Sequence, residues 1–250
     1  MRFSGSDWRR NTFAAIGAAA LTTAAQAGSI LFVDDDAAPG GDGSSWPTAY
    51  QHLQDALAAA EDDGSISVIR VAQGTYTPDQ GMDVNAGDRF ATFTLVNGVA
   101  HLGGYAGIGT ANPNERDIDE FETILSGDLN GDDGDGFQNN DENSYHVLVG
   151  SNTDASTLLE GFTVTGGNAN IDDGSDERLG GGLFNDSGSP TITECDFLFN
   201  NAVYGGAIYN RSGGSEITSC QFIGNSAGST GGAVRDFEGS TSLIQSCVFT

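Results

Sequence analysis

Gly205-Gly-Ala-Ile-Tyr-Asn210, followed by Ile217-Thr-Ser-Cys-Gln-Phe222 and Asn225-Ser-Ala227, is the stretch of the chain that decides its fold. The same order of residue types occurs once before it and once after it. The earlier unit comprises Gly180-Gly-Gly-Leu-Phe-Asn185, Ile192-Thr-Glu-Cys-Asp-Phe197 and Asn200-Asn-Ala202, and the later unit comprises Gly231-Gly-Ala-Val-Arg-Asp236 and Ile244-Gln-Ser-Cys-Val-Phe249. The cysteines of successive units are 25 and 27 residues apart, a repeat length typical of solenoid proteins.

Each unit contains short β-prone stretches separated by Gly, Asn, Ser and Asp, which favour turns and left-handed backbone. No unit shows the apolar period of a helix. A unit of this size cannot bury an apolar face alone and must stack on its neighbours. One rung per unit, rising by about 4.8 Å, predicts an all-β solenoid: a right-handed, single-stranded parallel β-helix.

Equivalent positions of the repeats should then lie above one another. The expected interior columns are Phe197, Phe222 and Phe249, with Phe162 before them, and Leu183, Ile208 and Val234. The Cys and the Phe two residues later share one strand face, but the Ile three residues before the Cys does not. A bend is therefore expected between Ile and Cys, and the Gly pair of each unit allows a second tight corner.

Two turn columns contain asparagine: Asn185 with Asn210, and Asn200 with Asn225. Their amides are predicted to hydrogen-bond from rung to rung as part of the scaffold. Asn185-Asp-Ser187 and Asn210-Arg-Ser212 also match the glycosylation sequon. The match carries little weight, because these columns are rich in Asn and Ser.

A third column contains Cys195, Cys220 and Cys247. We expect a buried ladder of free thiols, since unpaired cysteine commonly behaves as a small apolar side chain. A disulfide between neighbouring rungs is the alternative, because exported proteins often contain disulfides.

Residues 1–27 have the features of a secretory signal peptide. Arg9 and Arg10 precede an apolar run over residues 13–23, and Ala25-Gln26-Ala27 is a small-residue cleavage site. The run is too short for a stable membrane anchor. The arginine pair also resembles a twin-arginine signal, although the ordinary secretory route is preferred. The protein is expected to be secreted, extracellular or at the cell surface (outer membrane associated), with no transmembrane segment.

Residues 28–76 are predicted to form an N-terminal cap and first rung. Thr48 and Gln51 fit a capping box, and apolar residues at helical spacing predict an amphipathic α-helix over residues 49–61. This capping helix would cover the apolar interior and free strand edges of the first rung.

Residues 77–250 are assigned to the β-helix, which is expected to end in mid-rung without a C-terminal cap. Candidate strands before the clear repeats are residues 30–33, 67–72, 74–76, 93–96, 99–105, 123–125, 146–149 and 158–167. Polar stretches between them are predicted to project as loops at residues 108–122, 127–144 and 168–179.

Two families share motifs with this chain. Asp42-Gly-Ser-Ser-Trp-Pro-Thr-Ala-Tyr50, the Leu53-Gln-Asp-Ala-Leu57 helix and Val71-Ala-Gln-Gly-Thr-Tyr76 resemble the N-terminal region of pectin-lyase-like right-handed β-helix proteins. The recurring Gly-Gly-Ala-Ile/Val and Phe-x-x-Asn motifs of residues 180–250 are similar to the repeats of chlamydial polymorphic outer membrane proteins. Together the two resemblances imply a β-helix that is exported to the cell surface or beyond. Members of the second family serve in adhesion.

The charge of the chain limits its partners. It has 35 Asp and Glu against nine Arg and no Lys, and its net charge is −26 at pH 7. This charge argues strongly against nucleic acid as a partner, because phosphate binding needs clustered cations. Direct binding of polyanionic sugars is also disfavoured unless a divalent metal bridges the two. An acidic surface otherwise simply favours solubility.

No catalytic constellation is predicted, and fold alone does not establish an activity. If the first resemblance extended to activity, a lyase would need an Arg or Lys as its base. A galacturonan hydrolase would need paired Asp together with Gly-His-Gly and Arg-x-Lys motifs. Asp172-Asp173 is a carboxylate pair without either companion motif, and the three histidines, His52, His101 and His146, are scattered.

One acidic loop has the composition of a calcium site. Asp128-Leu-Asn-Gly-Asp-Asp-Gly-Asp-Gly136 places oxygen ligands among flexible glycines, as Ca²⁺ loops do. It departs from the EF-hand pattern at Asp133, where glycine should stand, and at Asn139, which replaces the final Glu. The predicted donors are Asp128, Asn130, Asp132, Asp133 and Asp135. The alternative is a solvated acidic insertion.

The sequence therefore favours a secreted or cell-surface β-helix platform for adhesion or carbohydrate contact. Its expected partners are extracellular polysaccharide or cell-surface components. The alternative is a polysaccharide lyase or glycoside hydrolase of the pectin-lyase-like fold with its active site elsewhere.

Overall fold

The computed structural model describes residues 28–250, so the predicted signal peptide lies outside the described residues. These residues form four parallel sheets that the chain visits in turn, which is the arrangement of a parallel β-helix. The predicted all-β solenoid is confirmed. Over the same range, no helix is long and apolar enough to cross a membrane.

The chain forms 21 strands, which we assign to sheets A to D in the order in which one coil visits them. Sheet A comprises β1 (Ser29–Val33), β2 (Ile66–Ala72), β5 (Ala100–Tyr105), β8 (Leu158–Glu160), β12 (Thr191–Thr193), β16 (Glu216–Thr218) and β20 (Leu243–Gln245). Sheet B comprises β3 (Gly74–Tyr76), β6 (Thr123–Ser126), β9 (Thr163–Thr165), β13 (Asp196–Leu198), β17 (Gln221–Ile223) and β21 (Val248–Phe249). Sheet C comprises β10 (Asn168–Ala169), β14 (Asn201–Tyr204) and β18 (Ser226–Thr230). Sheet D comprises β4 (Phe93–Thr94), β7 (Leu148–Val149), β11 (Leu183–Asp186), β15 (Ile208–Arg211) and β19 (Val234–Phe237).

The register of the strands confirms the period of the repeat. Phe197 pairs with Phe222, which pairs with Phe249, and their rings stack at centroid distances of 5.2 and 4.8 Å with interplanar angles of 7° and 4°. In sheet D, Leu183, Ile208 and Val234 align in the same way. Each fully buried large side chain contributes about 1.5–3 kcal/mol by leaving water, so these columns hold the coils together.

The placement of Phe162 in the phenylalanine column is wrong. Val164 pairs with Phe197, and Phe162 lies opposite Cys195 because Thr163 pairs with Asp196. Both Phe162 and Val164 are buried. This coil therefore carries its large side chain in the cysteine column and its smaller one in the phenylalanine column, which fills the interior in the opposite order.

Both predicted corners are present. Glu194, Ser219 and Ser246 have φ angles of 51°, 58° and 54°, so the chain turns in the left-handed region between the Ile and the Cys of each unit. The second corner, before sheet D, contains Gly180 with φ 63° and Gly205 with φ 66°. A Cβ on Gly180 would lie 2.2 Å from the backbone oxygen of Leu183, so only glycine fits this corner.

The asparagine columns form the expected ladders. Asn185 Nδ2 donates to Asn210 Oδ1 at 2.8 Å, and Asn200 Nδ2 donates to Asn225 Oδ1 at 3.1 Å. The ladder of Asn210 continues to Asp236 Oδ1 at 3.0 Å. Asn185 and Asn210 are 0% exposed, so their amides are scaffold groups that a folded protein does not offer for glycosylation.

The cysteine column contains free thiols, as expected. Cys195 and Cys220 are buried, Cys247 is half-buried, and no disulfide links them. Cys195 Sγ donates to the carbonyl oxygen of Thr193 at 3.3 Å. The disulfide alternative is not realised.

The N-terminal helix α1 comprises Leu53–Asp62 and packs against β1, β2 and β4. Its buried side chains, Leu53, Ala56, Leu57 and Ala60, join the main core. The helix therefore lies over the first rungs, as predicted.

The capping box is wrong, and the helix begins four residues later than expected. Thr48 ends a 3₁₀ helix (Trp46–Thr48), and its hydroxyl donates to Asp42 Oδ1 at 2.8 Å. Tyr50 instead extends alongside β1, because its backbone bonds to Phe32 and Asp34. The N-cap is His52, which makes no side-chain capping bond.

The predicted loop at residues 168–179 is only partly irregular. It begins with strand β10, which pairs with β14, and contains a second 3₁₀ helix (Asp176–Arg178). The stretches at residues 108–122 and 127–144 contain none of the 21 strands, in agreement with the predicted loops.

Candidate functional site: a polar cleft at the corner of sheets A and B

A cleft of about 260 Å³ lies where successive coils turn from sheet A into sheet B. Its floor is built from two columns of outward side chains. Thr163, Asp196 and Gln221 stand in register on β9, β13 and β17. Two residues before each of these, at the corner itself, the second column contains Gly161, Glu194 and Ser219.

The repeat spacing gives the cleft its geometry. Equivalent residues of adjacent parallel strands lie about 4.8 Å apart. Polar groups therefore recur at that interval across three coils, and each coil contributes one group from the strand and one residue from the corner. The cleft is a track of hydrogen-bonding groups rather than a closed pocket.

An inserted loop forms one wall of the cleft. Within residues 106–122, Arg116 pairs with Glu160 at 2.6 Å and donates from Nε to the Gly103 carbonyl oxygen at 2.8 Å. These contacts bring Ile118 over the corner at Gly161, where a Cβ would lie 2.7 Å from the Ile118 side chain. Gly161, with φ 76°, is therefore needed for both the turn and the close approach of the loop.

The cleft is strongly acidic. It is lined by four carboxylates, those of Asp119, Glu122, Glu194 and Asp196. The described lining residues include no basic side chain, and Arg116, in the loop that forms the wall, is paired with Glu160. Glu122 Oε1 accepts a hydrogen bond from the Thr163 hydroxyl at 2.9 Å, and Asp196 Oδ2 accepts one from Gln221 Nε2 at 3.3 Å. Such a lining can accept hydrogen bonds from sugar hydroxyls or attract cations.

One of these carboxyl groups has a shifted pKa. Partial burial raises the pKa of Asp196, and the negative charges of Glu122 and Asp119 raise it further, against a lowering by the Gln221 amide. Burial and neighbouring negative charge both favour the protonated form of a carboxyl group. The sequence did not single out these residues, because their proximity depends on the coil register.

The structure brings together part of the predicted calcium loop. Asp128 accepts backbone hydrogen bonds from Gly131 at 2.7 Å, Asp132 at 3.2 Å and Asp133 at 3.0 Å. Oxygen atoms of Asp128, Asp132 and Glu142 all lie within 4.8 Å of one another.

The other predicted carboxylate donors, Asp133 and Asp135, are not in this group. Asp133 instead accepts a bond from Asn143 Nδ2 at 2.7 Å, and burial raises its pKa. The carboxylate of Asp135 also lies outside it. Sequence reasoning missed Glu142, which follows the twelfth loop position; that position, Asn139, donates from Nδ2 to the Asp132 carbonyl oxygen at 2.9 Å.

A second acidic group, Asp34, Asp35 and Asp36, was not predicted. Asp34 is 2% exposed, and its carboxylate accepts backbone bonds from Ile108 at 2.6 Å and Asp36 at 3.1 Å. Burial raises its pKa. These backbone bonds of Asp34 tie β1 to the loop after β5.

The remaining candidates have structural surroundings. Asp172 is exposed, with its nearest arginine, Arg178, at 4.0 Å, and Asp173 accepts a bond from the Ser175 backbone at 2.9 Å. His101 is buried beside the Leu158 carbonyl oxygen at 3.1 Å, and burial lowers its pKa to about 4. His146 is within 3.0 Å of the Gly180 carbonyl oxygen, and burial lowers its pKa as well.

Comparison with protein-family models, curated proteins and solved structures gave no match to this chain. The parallel β-helix is thus established by the strand pairing alone, and the functional argument proceeds from the cleft.

Proposed function

We propose that this protein is an exported β-helix platform that contacts extracellular polysaccharide through the polar cleft. The observation that carries the proposal is the in-register track of hydrogen-bonding side chains, Thr163, Asp196 and Gln221, at rung spacing. An extended polymer with hydroxyl groups along its length can follow such a track, whereas a compact ligand would use only part of it.

The charge of the cleft selects the kind of polysaccharide. Four carboxylates repel uronate or sulfate groups, and they accept hydrogen bonds from hydroxyls. We therefore expect a neutral or amino-bearing glycan, of an extracellular polymer or of a cell surface. The proposal also includes a relationship to pectin-lyase-like proteins and to the polymorphic outer membrane proteins, which rests on sequence motifs. Secretion and adhesion are proposed on the same basis.

The test is binding of the protein without residues 1–27 to a panel of neutral and amino polysaccharides by affinity electrophoresis. Asp196→Asn removes one charge from the track and should weaken binding about tenfold, since a charge-assisted hydrogen bond contributes about 1.5–3 kcal/mol. Glu216→Gln is the matched control, because Glu216 is exposed on the adjacent strand β16 and does not line the cleft. Equal loss in both variants, or no binding to any glycan, would refute the proposal.

A glycoside hydrolase is the second candidate, and the raised pKa of Asp196 beside Glu122 favours it. A pair of carboxyl groups in one cleft, one of which donates a proton to the leaving group, is the machinery of acid-assisted glycoside cleavage. In that case the panel would release reducing ends, and Asp196→Asn would abolish the release. Saccharides that bind without being cleaved would favour the platform. A lyase is less supported, because a basic side chain is missing from the described lining of the cleft.

We also propose that the acidic loop binds calcium, through Asp128, Asp132 and Glu142. Carboxylate oxygens at this spacing suit a hard cation, and Glu142 Oε1 is buried without a hydrogen-bond partner among the described residues. Calcium at 100 times its Kd should stabilise the fold by about 2.7 kcal/mol. Asp132→Asn should reduce the calcium-dependent rise in Tm, whereas Asp135→Asn should retain it. A melt unchanged by calcium and chelator would refute the site.

A further inference from the structure

A second corner of the coil, between sheets C and D, gathers arginine and aromatic side chains. Its surface gathers three of the six arginines of residues 28–250, namely Arg178, Arg211 and Arg235, with Tyr204, Tyr209 and Phe237. We call these six residues the arginine–aromatic corner. They line a cavity of about 250 Å³ together with Glu238 and Leu179.

The coil register explains how this corner is assembled. Tyr209 and Arg235 occupy one outward column of sheet D, and Arg211 and Phe237 occupy the next. Tyr204 ends β14 just before the glycine corner at Gly205. Residues far apart in the sequence repeat thus converge on one edge of the solenoid.

The three arginines differ in their pairing. Arg211 contacts Asp176 Oδ1 at 2.8 Å and Asp186 Oδ2 at 2.7 Å, so its charge is balanced twice. Arg178 is 4.0 Å from Asp172. For Arg235, no carboxylate of the described residues lies within 4.0 Å, and its side-chain hydrogen bond goes to the Thr230 hydroxyl.

Aromatic rings hold the Arg235 guanidinium in place. Its central carbon lies 4.3 Å from the ring centroid of Tyr204, 5.4 Å from that of Phe237 and 5.6 Å from that of Tyr209. A guanidinium stacked on rings can still present an N–H edge beside its bond to Thr230, and such an edge matches a carboxylate in bidentate geometry. The net charge of the chain is −26. An arginine held in this way, with no acidic partner within 4.0 Å among the described residues, can bind an anion.

We propose that the arginine–aromatic corner binds a single carboxylated sugar residue, at the end or branch of an otherwise neutral glycan. Arg235 would pair with the carboxylate, and the rings of Tyr204 and Phe237 would pack against the C–H face of the sugar. This inference rests on the proposed contact with extracellular glycans and adds a second, separate site to it.

The surroundings of the corner limit the ligand to few charges. The net charge of the chain repels a polyanion, whereas one carboxylate at Arg235 is within the Debye length of about 8 Å at physiological salt. The cavity is slightly smaller than the roughly 300–1,000 Å³ of pockets for drug-sized ligands. One sugar ring is therefore a better fit than a long segment.

The experiment compares two probes by saturation-transfer NMR and calorimetry. The first probe is a neutral glucose trisaccharide, and the second is the same trisaccharide with its terminal glucose oxidised at C6 to glucuronate. The oxidised probe should bind at least tenfold more tightly, and this preference should disappear in Arg235→Gln. Arg70→Gln is the matched control, because Arg70 also stacks on aromatic rings, Phe32 and Tyr105, but far away on sheet A.

Each alternative has a distinct outcome. Equal affinity for the two probes, or a preference that survives Arg235→Gln, would overturn the site. Tighter binding of a polygalacturonate fragment would overturn the single-charge ligand, and equal binding of acetate would show a simple anion site without a sugar. Loss of the preference with unchanged Asp196-dependent binding of neutral glycans isolates this corner from the cleft.

If Arg235→Gln fails to fold, Arg235→Lys is the second variant. It keeps the charge but loses the planar fork, so the preference should fall severalfold. An unchanged preference in Arg235→Lys would overturn the bidentate contact.

Discussion

Replacing Phe197 with alanine should destabilise the protein strongly. Phe197 is 0% exposed, pairs with Val164 on one side and stacks on Phe222 on the other at 5.2 Å. Loss of a fully buried phenylalanine typically costs about 3–5 kcal/mol, because the transfer energy is lost and a cavity remains. For a domain of this size, that corresponds to a fall in Tm of about 6–20 °C.

Phe199→Ala is the matched control in the same coil. Phe199 lies two residues further on and is 56% exposed, with φ 51°. Its truncation should change stability by no more than about 0.5 kcal/mol, as for most surface positions. The measurement is urea unfolding followed by circular dichroism, with Tm as a second reading. Equal losses in the two variants would refute the inward column and, with it, the repeat register.

Three further predictions follow from buried polar and sulfur groups. Burial lowers the pKa of His101 from 6.5 to about 4, so between these pH values the unfolded state binds more protons than the folded state. The free energy of unfolding should therefore fall by about 3 kcal/mol as the pH drops through this window. His101→Gln should remove that part of the loss when urea unfolding is measured as a function of pH. Asn200→Ala should cost about 2–4 kcal/mol by leaving a backbone N–H and a C=O unpaired. Asn201→Ala, which leaves only the Asn168 oxygen unpaired, should cost about half as much in the same assay. In thiol labelling followed by mass spectrometry, half-buried Cys247 should react first and buried Cys195 only on unfolding; equal labelling rates in the native state would contradict the ladder.

The repeats carried enough information for the fold, and the reason is physical. A solenoid buries its core between neighbouring coils whose sequences repeat, so the spacing of Phe197 and Phe222 is enough to predict their contact. The bend at Ser219 and the ladder from Asn185 to Asn210 follow from the same alignment. These features depend on local chemistry repeated at a fixed interval.

The errors occurred where tertiary contacts decide. Thr48 and Gln51 match a capping box, but pairing of Tyr50 with β1 keeps this segment extended. Glu142 joins Asp128 only because the loop closes on itself. The cleft and the arginine–aromatic corner depend on side chains from several coils and an insertion, so no single sequence window contains either of them.

The exchange at Phe162 and Val164 has a wider consequence for how such chains diverge. Neighbouring coils need side chains of similar total volume in the core, but this volume can be distributed differently between the two inward positions. Coils with the same enclosed volume can therefore differ at both inward positions by compensating substitutions. A search for a fixed residue at each position does not recognise such coils as equivalent. A profile that sums side-chain volume over the two inward positions would score such coils as equivalent, whereas residue-by-residue matching would not.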